Sequence, residues 1–160
     1  MGRLEVNGID GLMDDLAALA ALPDSVVEGI LDAEADVILP AQREEIEKQW
    51  SGPHSLGISS KSIKKGKVKK NKDGRSLSIY SQGTRKRGER STRNAEIAFI
   101  NEYGAPGRHI AARPAIDTAN KKKEGEAVDA GERVYNAYLE SRNLYGGFNN
   151  GKFRSKIHSL

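Results

Sequence analysis

Gly104 and Pro114 stand ten residues apart in the stretch AEIAFINEYGAPGRHIAARPAIDTA, residues 95–119, and between them they leave the backbone few options. Glycine tolerates conformations closed to other residues, and proline fixes φ near the helical value while giving up a backbone donor. One regular element must therefore end, and another begin, across a short Gly/Pro/His/Arg loop. Before Gly104, Ile97 and Phe99 alternate with Ala98 and Ile100, so NAEIAFINEY reads as a strand buried on both faces. Pro114 suits the first turn of a helix, where no intrahelical donor is needed. That helix is expected to run to about Ser141 on a stripe of Ile116, Ala119, Ala127, Ala130, Val134, Ala137 and Tyr138, weakened by Gly125 and Gly131.

Upstream, residues 9–22 form a short amphipathic pattern on Leu12, Leu16 and Leu19, stopped by Pro23. A second helix is expected from Ser25 to Trp50, capped by Asp24 or Ser25, kinked at Pro40, with Ile30, Val37, Ile46 and Trp50 inward. Residues 51–60 read as a turn-rich linker. Asp73-Gly74 then signals a long hairpin. Ile63 and Val68 are isolated among lysines, so its first strand reads as a partly solvated edge, while Leu77 and Ile79 share a face of the second. GTRKRGERSTR, 83–93, has almost no apolar residue and reads as a mobile basic loop. The expected fold is α+β: a small antiparallel sheet with a long hairpin, packed by a kinked N-terminal helix and a long C-terminal helix. It forms one domain over 1–142, followed by a Gly/aromatic tail over 143–160. The expected core is Ile30, Val37, Leu77, Ile79, Ile97, Phe99, Ile100, Ile116 and Val134.

Charge is segregated along the chain. Residues 1–60 carry a net −9, residues 61–93 a net +11 and residues 94–160 a net +2. Such a split fits a nucleic-acid partner, or copies that meet acidic face to basic face. Tyr80 is the one aromatic in the basic segment, so stacking on single-stranded bases is poorly supported. No zinc-finger spacing or recognition helix appears, which leaves non-specific phosphate contact. With 37% hydrophobic and 30% charged residues, the chain is polar for a compact monomer and suits surfaces completed by partners. No apolar run approaches the ~20 residues that span a bilayer, and the acidic N-terminus lacks a signal-peptide pattern, so a soluble intracellular site of synthesis is expected.

Chemistry is sparse. The chain has no cysteine, and His54, His109 and His158 are isolated, without a ligand partner at helical spacing. No phosphate-binding glycine loop or nucleophile elbow is present. Glu44, Glu45 and Glu47 read as a solvated helix face. We expect no catalytic, cofactor or metal site, and hence not an enzyme.

Taken in order, a turn with Leu56, SKSIKK, a Lys-rich hairpin, FINEYG, a loop and IAARPAIDTA form a recognisable series. The series resembles the head–tail joining, or tail-completion, proteins of long-tailed bacteriophages. There, a strand ending in an aromatic, a Glu, an aromatic and Gly leads through a loop to an Ala-Arg-Pro helix start. Phe99, Glu102, Tyr103, Gly104, Ala112, Arg113, Pro114 and Ala115 match; the usual aromatic after the proline is replaced by Ala115 and Ile116. A virion-morphogenesis family of contractile-tailed phages ends similarly. The resemblance covers roughly residues 25–140 and implies a virion structural protein without a cofactor. Its place would be a ring, six-fold, at the neck or head-proximal end of the tail, beside connector, neck or tail-tube proteins. The residues expected to interact are Arg85, Lys86, Arg87, Arg90 and Arg93 of the basic segment, against an acidic subunit surface more than DNA, and Glu102, Tyr103, Gly104, Arg113 and Pro114 at the joint. Arg113 is read as a clamp with Glu102 as its partner. The alternative is a basic accessory protein that binds nucleic acid non-specifically.

Overall fold

The computed structural model describes residues 22–52, 58–72 and 74–142. Its elements are α1 (Asp24–Gln49), α2 (Ile58–Ser62), β1 (Ile63–Lys65), β2 (Lys69–Asn71), β3 (Gly74–Ser76), β4 (Ile79–Ser81), β5 (Thr84–Arg87), β6 (Arg90–Arg93), α3 (Asn94–Tyr103), a 3-10 turn (Pro106–Arg108) and α4 (Ala115–Ser141). The fold is α+β, with small antiparallel pairs of strands and two long helices packed together. The segment 9–22, apart from Leu22, and the tail after 142 lie outside the described residues.

Helix α1 runs unbroken across Pro40. Its partner α4 lies close because the contact between them is built from small residues: Ala35 on α1, and Ala119, Ala127, Ala130 and Gly131 on α4, are all buried. At Gly131 an added Cβ would sit 2.7 Å from Glu34 Oε1 and 3.1 Å from Ile30 Cγ2. This glycine therefore serves the helix crossing and does not simply weaken α4.

Strands β1 and β4 pair antiparallel with Ile63 opposite Ser81 and Lys65 opposite Ile79, and β2 pairs β3 with Lys70 opposite Arg75. Between them the Gly66 N–H donates to Ser78 O (2.8 Å), so 63–81 forms one long interrupted hairpin. Its turn residue Asp73 lies outside the described residues. Ile63 is not a solvated edge residue: it is fully buried (0% exposed) beside Ile46, Trp50, Ala98 and Ala115, with Leu39, Ile79 and Ile116 packed around them. Lys64 points the other way because side chains alternate along a strand, while Lys65, on the side of Ile63, carries its charge out to Asp32 and Asp36 of α1.

Three assignments from sequence change. Residues 58–60 are not part of a linker but open the short helix α2. Residues 84–93 are not a loop but a second hairpin, β5–β6, with Arg85 opposite Thr92 and Arg87 opposite Arg90. Gly88 at φ 63° supplies the turn, and backbone pairing needs no apolar side chain. Residues 94–103 are not a strand but the helix α3. A short apolar run fits either period, and here spacing four decides. Asn94, Ala98 and Glu102 are buried, while Ala95, Phe99 and Tyr103 are exposed. Phe99 accordingly leaves the expected core, being 62% exposed. The other expected core residues are half-buried, and Ile79 and Ile116 among them pack against the cluster.

Part of the charge segregation is satisfied within the chain. Asp24, Glu28, Asp32 and Asp36 recur every four residues along α1, one face of a helix. Lys65 of the hairpin pairs with Asp32 (2.9 Å) and Asp36 (2.7 Å), and Arg75 pairs with Asp24 and Glu28. The hydrogen bond from Arg75 holds the Asp24 carboxyl below the usual carboxylate range, and the bonds to Asp36 and Asp32 hold the Lys65 ammonium above the usual lysine value. The glutamates of α1 are also engaged rather than merely solvated. Glu44 pairs with Lys48, Glu47 accepts from Ser60, and Glu45 is buried and tied across to Lys122 of α4 (2.6 Å).

Candidate interaction surface

Two polar side chains turn the end of α3 into the start of α4. The first N–H groups of any helix lack intrahelical acceptors, and Pro114, at the start of α4, carries no side-chain acceptor. Glu102 supplies one from α3: buried (6% exposed), it accepts from the Ile116 N–H at 3.0 Å and the Asp117 N–H at 2.9 Å. A carboxylate there also faces the positive end of the helix dipole.

Arg113 is the second. Its guanidinium donates to Gln49 O (3.2 Å) at the end of α1 and to Asn101 Oδ1 on α3. Its backbone N–H donates to Asn101 O (2.7 Å). Its carbonyl accepts from the Trp50 indole N–H (2.7 Å) and from the Ala115 N–H (2.8 Å). The last bond closes an inverse γ-turn on Pro114, whose φ of −75° and ψ of 70° lie in that basin. One residue thus ties α1, α3 and α4 together.

Arg113 bonds Gln49 O and Asn101 Oδ1, and Glu102 is not its partner. In a helix, neighbouring residues diverge by about 100°. Asn101 therefore turns toward Arg113 while Glu102 turns toward α4, a divergence that the strand reading of 94–103 could not anticipate. Asn101 was missed for the same reason, and the fourfold spacing of Asn94, Ala98 and Glu102 was the signal available; Gln49 O and the Trp50 indole, at the end of α1, are long-range partners that no local pattern marks.

The loop between the two hubs is tightly tied. Ala105 and Ile110 exchange both backbone bonds, at 2.9 and 3.2 Å. Gly104, at φ 76°, passes so close that a Cβ would meet Ile110 O at 2.7 Å and Ala112 N at 2.8 Å. His109 adopts the left-handed conformation with φ 54°.

On the outer face of α3, Phe99 and Tyr103 (67% exposed) stack with ring centroids 4.9 Å apart and planes at 47°. Exposed Tyr80 of β4 and Ala95 of α3 line one shallow depression with Arg93. Strand β6 runs directly into the N-terminus of α3, the end of that helix opposite Tyr103 and the Glu102–Arg113 joint. Among the described side chains no carboxylate lies within ion-pair distance of Arg85, Lys86, Arg90 or Arg93.

Among the described residues no cluster of His, Asp or Glu could hold a metal ion, and no helix is long and apolar enough to cross a membrane. Comparison with protein-family models, with curated proteins and with solved structures found no match. The arrangement ties the end of α3 to the start of α4 and presents an exposed aromatic pair on the outer face of α3.

Proposed function

We propose that this chain is a structural subunit of a tailed bacteriophage particle, forming a ring at the head–tail interface that joins head to tail as a connector or tail-completion layer. The observation that carries the reading is the FINEYG…ARP series folded as one rigid joint. Glu102 caps α4, Arg113 ties three helices, and Gly104 permits the tight exit from α3. Each matched residue so described has a mechanical role, which suits a load-transmitting subunit. The exposed Phe99–Tyr103 pair supports the reading further, because aromatic residues and arginine are enriched where proteins meet. In the six-fold arrangement that the resemblance implies, the ring would contact neck, connector or tail-tube neighbours.

Quantitative mass spectrometry of purified particles tests this. A fixed copy number per particle, matching one ring, is expected. Absence from particles would remove the reading. A second reading, non-specific contact with nucleic-acid phosphates, is favoured by Arg85, Lys86, Arg90 and Arg93, which have no carboxylate within ion-pair distance among the described residues. It predicts binding to any duplex that falls steeply with salt as counterions are released.

A further inference from the structure

We propose that the outward face of the two hairpins, built on Lys64, Lys69, Tyr80, Lys86 and Arg93, binds the phosphate backbone of duplex nucleic acid. The inference rests on the second reading above, not on the particle reading, and deepens it by naming the surface.

The strands of the long hairpin sort their cations into two sets. Along the return strand, Arg75, Leu77 and Ile79 face α1: Arg75 pairs with Asp24 and Glu28, and Leu77 and Ile79 line one groove with Ile38. Lys70 stands opposite Arg75, and Lys65 stands opposite Ile79 and pairs with Asp32 and Asp36. Side chains alternate along a strand, and directly opposed residues share a face. Ser76 and Tyr80 therefore point away from α1, and so do Lys69 and Lys64 across from them. Both lysines are exposed.

The second hairpin continues this face. Tyr80, Thr84 and Arg93 line one shallow depression. Thr84 stands opposite Arg93 and, two positions on, Lys86 opposite Ser91, so all four share the face, and all four are exposed. Arg85 and Thr92 occupy the other face and are half-buried. Among the described residues no carboxylate lies within ion-pair distance of Lys64, Lys69, Lys86 or Arg93. Glu89 stands in the β5–β6 turn. Glu96 follows Ala95 on α3 and so turns about 100° away from the depression that Ala95 lines. Four cations against Glu89 leave the face positive.

Two kinds of polyanion suit such a face, and the structure favours one. The acidic row of α1 in another copy is already met by that copy's own Lys65 and Arg75, and Glu44 and Glu45 are met by Lys48 and Lys122. A nucleic-acid duplex brings one unmatched negative charge per ~1.7 Å of its axis. A single strand is held chiefly by bases stacked on aromatic side chains. Tyr80 is the one aromatic on this face, and its ring lies against Gly66, where an added Cβ would sit 3.1 Å from Cε1. A shallow face with spread cations therefore suits a duplex backbone lying across it.

The test is fluorescence anisotropy of a labelled DNA duplex of about 20 base pairs, titrated with the full chain between about 50 and 200 mM KCl. Four neutralised phosphates predict a slope of about −3.6 for log K against log salt. Lys64→Gln with Arg93→Gln should flatten that slope by about 1.8, and Lys69→Gln with Lys86→Gln by the same amount. All four positions are exposed, so circular dichroism and the unfolding midpoint should match wild type. Lys121→Gln with Lys123→Gln removes equal charge from α4, off the face, and should leave the slope unchanged. No binding at the lowest salt would remove this surface and the second reading together. Duplex binding whose slope ignores the face variants, or flattens equally with the α4 variant, would remove this surface and leave the second reading standing. Poly-glutamate of equal charge competing as well as unlabelled duplex would give the face to an acidic protein surface, and would equally overturn the proposal.

Discussion

Replacing Glu102 by alanine should destabilise the fold by about 2–3 kcal/mol. Its carboxylate accepts two backbone bonds, at 3.0 and 2.9 Å, from N–H groups at the start of α4. Hydrogen bonds to a charged group contribute ~1.5–3 kcal/mol each, and a carboxylate at a helix N-terminus adds ~0.3–1 kcal/mol through the dipole. The sum overstates the loss, because Asp117 is exposed and water can reach its N–H once the side chain is gone. Glutamine keeps one acceptor oxygen but turns an amide donor toward the second N–H, so it should cost roughly 1–2 kcal/mol, between wild type and alanine. Urea unfolding of the full chain, followed by helical circular dichroism at neutral pH, gives these differences if the slope with denaturant is unchanged. An alanine variant within about 0.5 kcal/mol of wild type, the range of ordinary surface substitutions, would refute the capping role.

Arg113→Lys loses the planar fork that reaches Gln49 O and Asn101 Oδ1 together, and should cost about 1 kcal/mol, with Arg113→Ala costing more. A double-mutant cycle should couple Arg113 to Asn101 by ~0.5–1.5 kcal/mol; strict additivity would place the arginine's partner elsewhere. Gly131→Ala should destabilise by about 1 kcal/mol, because the added Cβ crowds Ile30, whereas Gly125→Ala, with nothing within 4 Å, should stabilise by ~0.4–1 kcal/mol. Equal responses in thermal melts would contradict the close helix crossing. The lowered Asp24 carboxyl stabilises the fold above the usual carboxylate range near pH ~4 and loses that effect as pH falls through its folded value. The raised Lys65 ammonium stabilises below the usual lysine value near ~10.4 and loses that effect as pH rises through its folded value. Stability–pH curves of Arg75→Met should therefore be flatter on the acid limb and those of Lys65→Met on the alkaline limb; unchanged limbs would show that neither ion pair forms.

The long helices were legible because proline and apolar spacing mark them over many turns. The inward side of α1 at Ile46 and Trp50, the Asp73-Gly74 hairpin and the helix start at Pro114 followed from local chemistry alone. The segment 94–103 did not, since four apolar residues in a row satisfy either a strand or a helix until a neighbour chooses. That single ambiguity moved Phe99 from core to surface and hid Asn101 as the partner of Arg113. Ile63 was misjudged for a related reason: the lysines after it say nothing about its burial, since Lys64 faces the other way and Lys65 carries its charge out to Asp32 and Asp36. The second hairpin was hidden because its apolar content is nil, and only Gly88 marks the turn. The acidic and basic halves were visible in sequence, but the four-residue spacing from Asp24 to Asp36 is what brings them together inside one chain.

The proposed head–tail role is tested most directly by placing an early stop codon in this gene in a phage that carries it and viewing the lysate by electron microscopy. The account predicts filled heads and finished tails that remain separate, with joined particles restored when the wild-type chain is supplied in trans. Intact, infectious particles in the absence of the chain would contradict it.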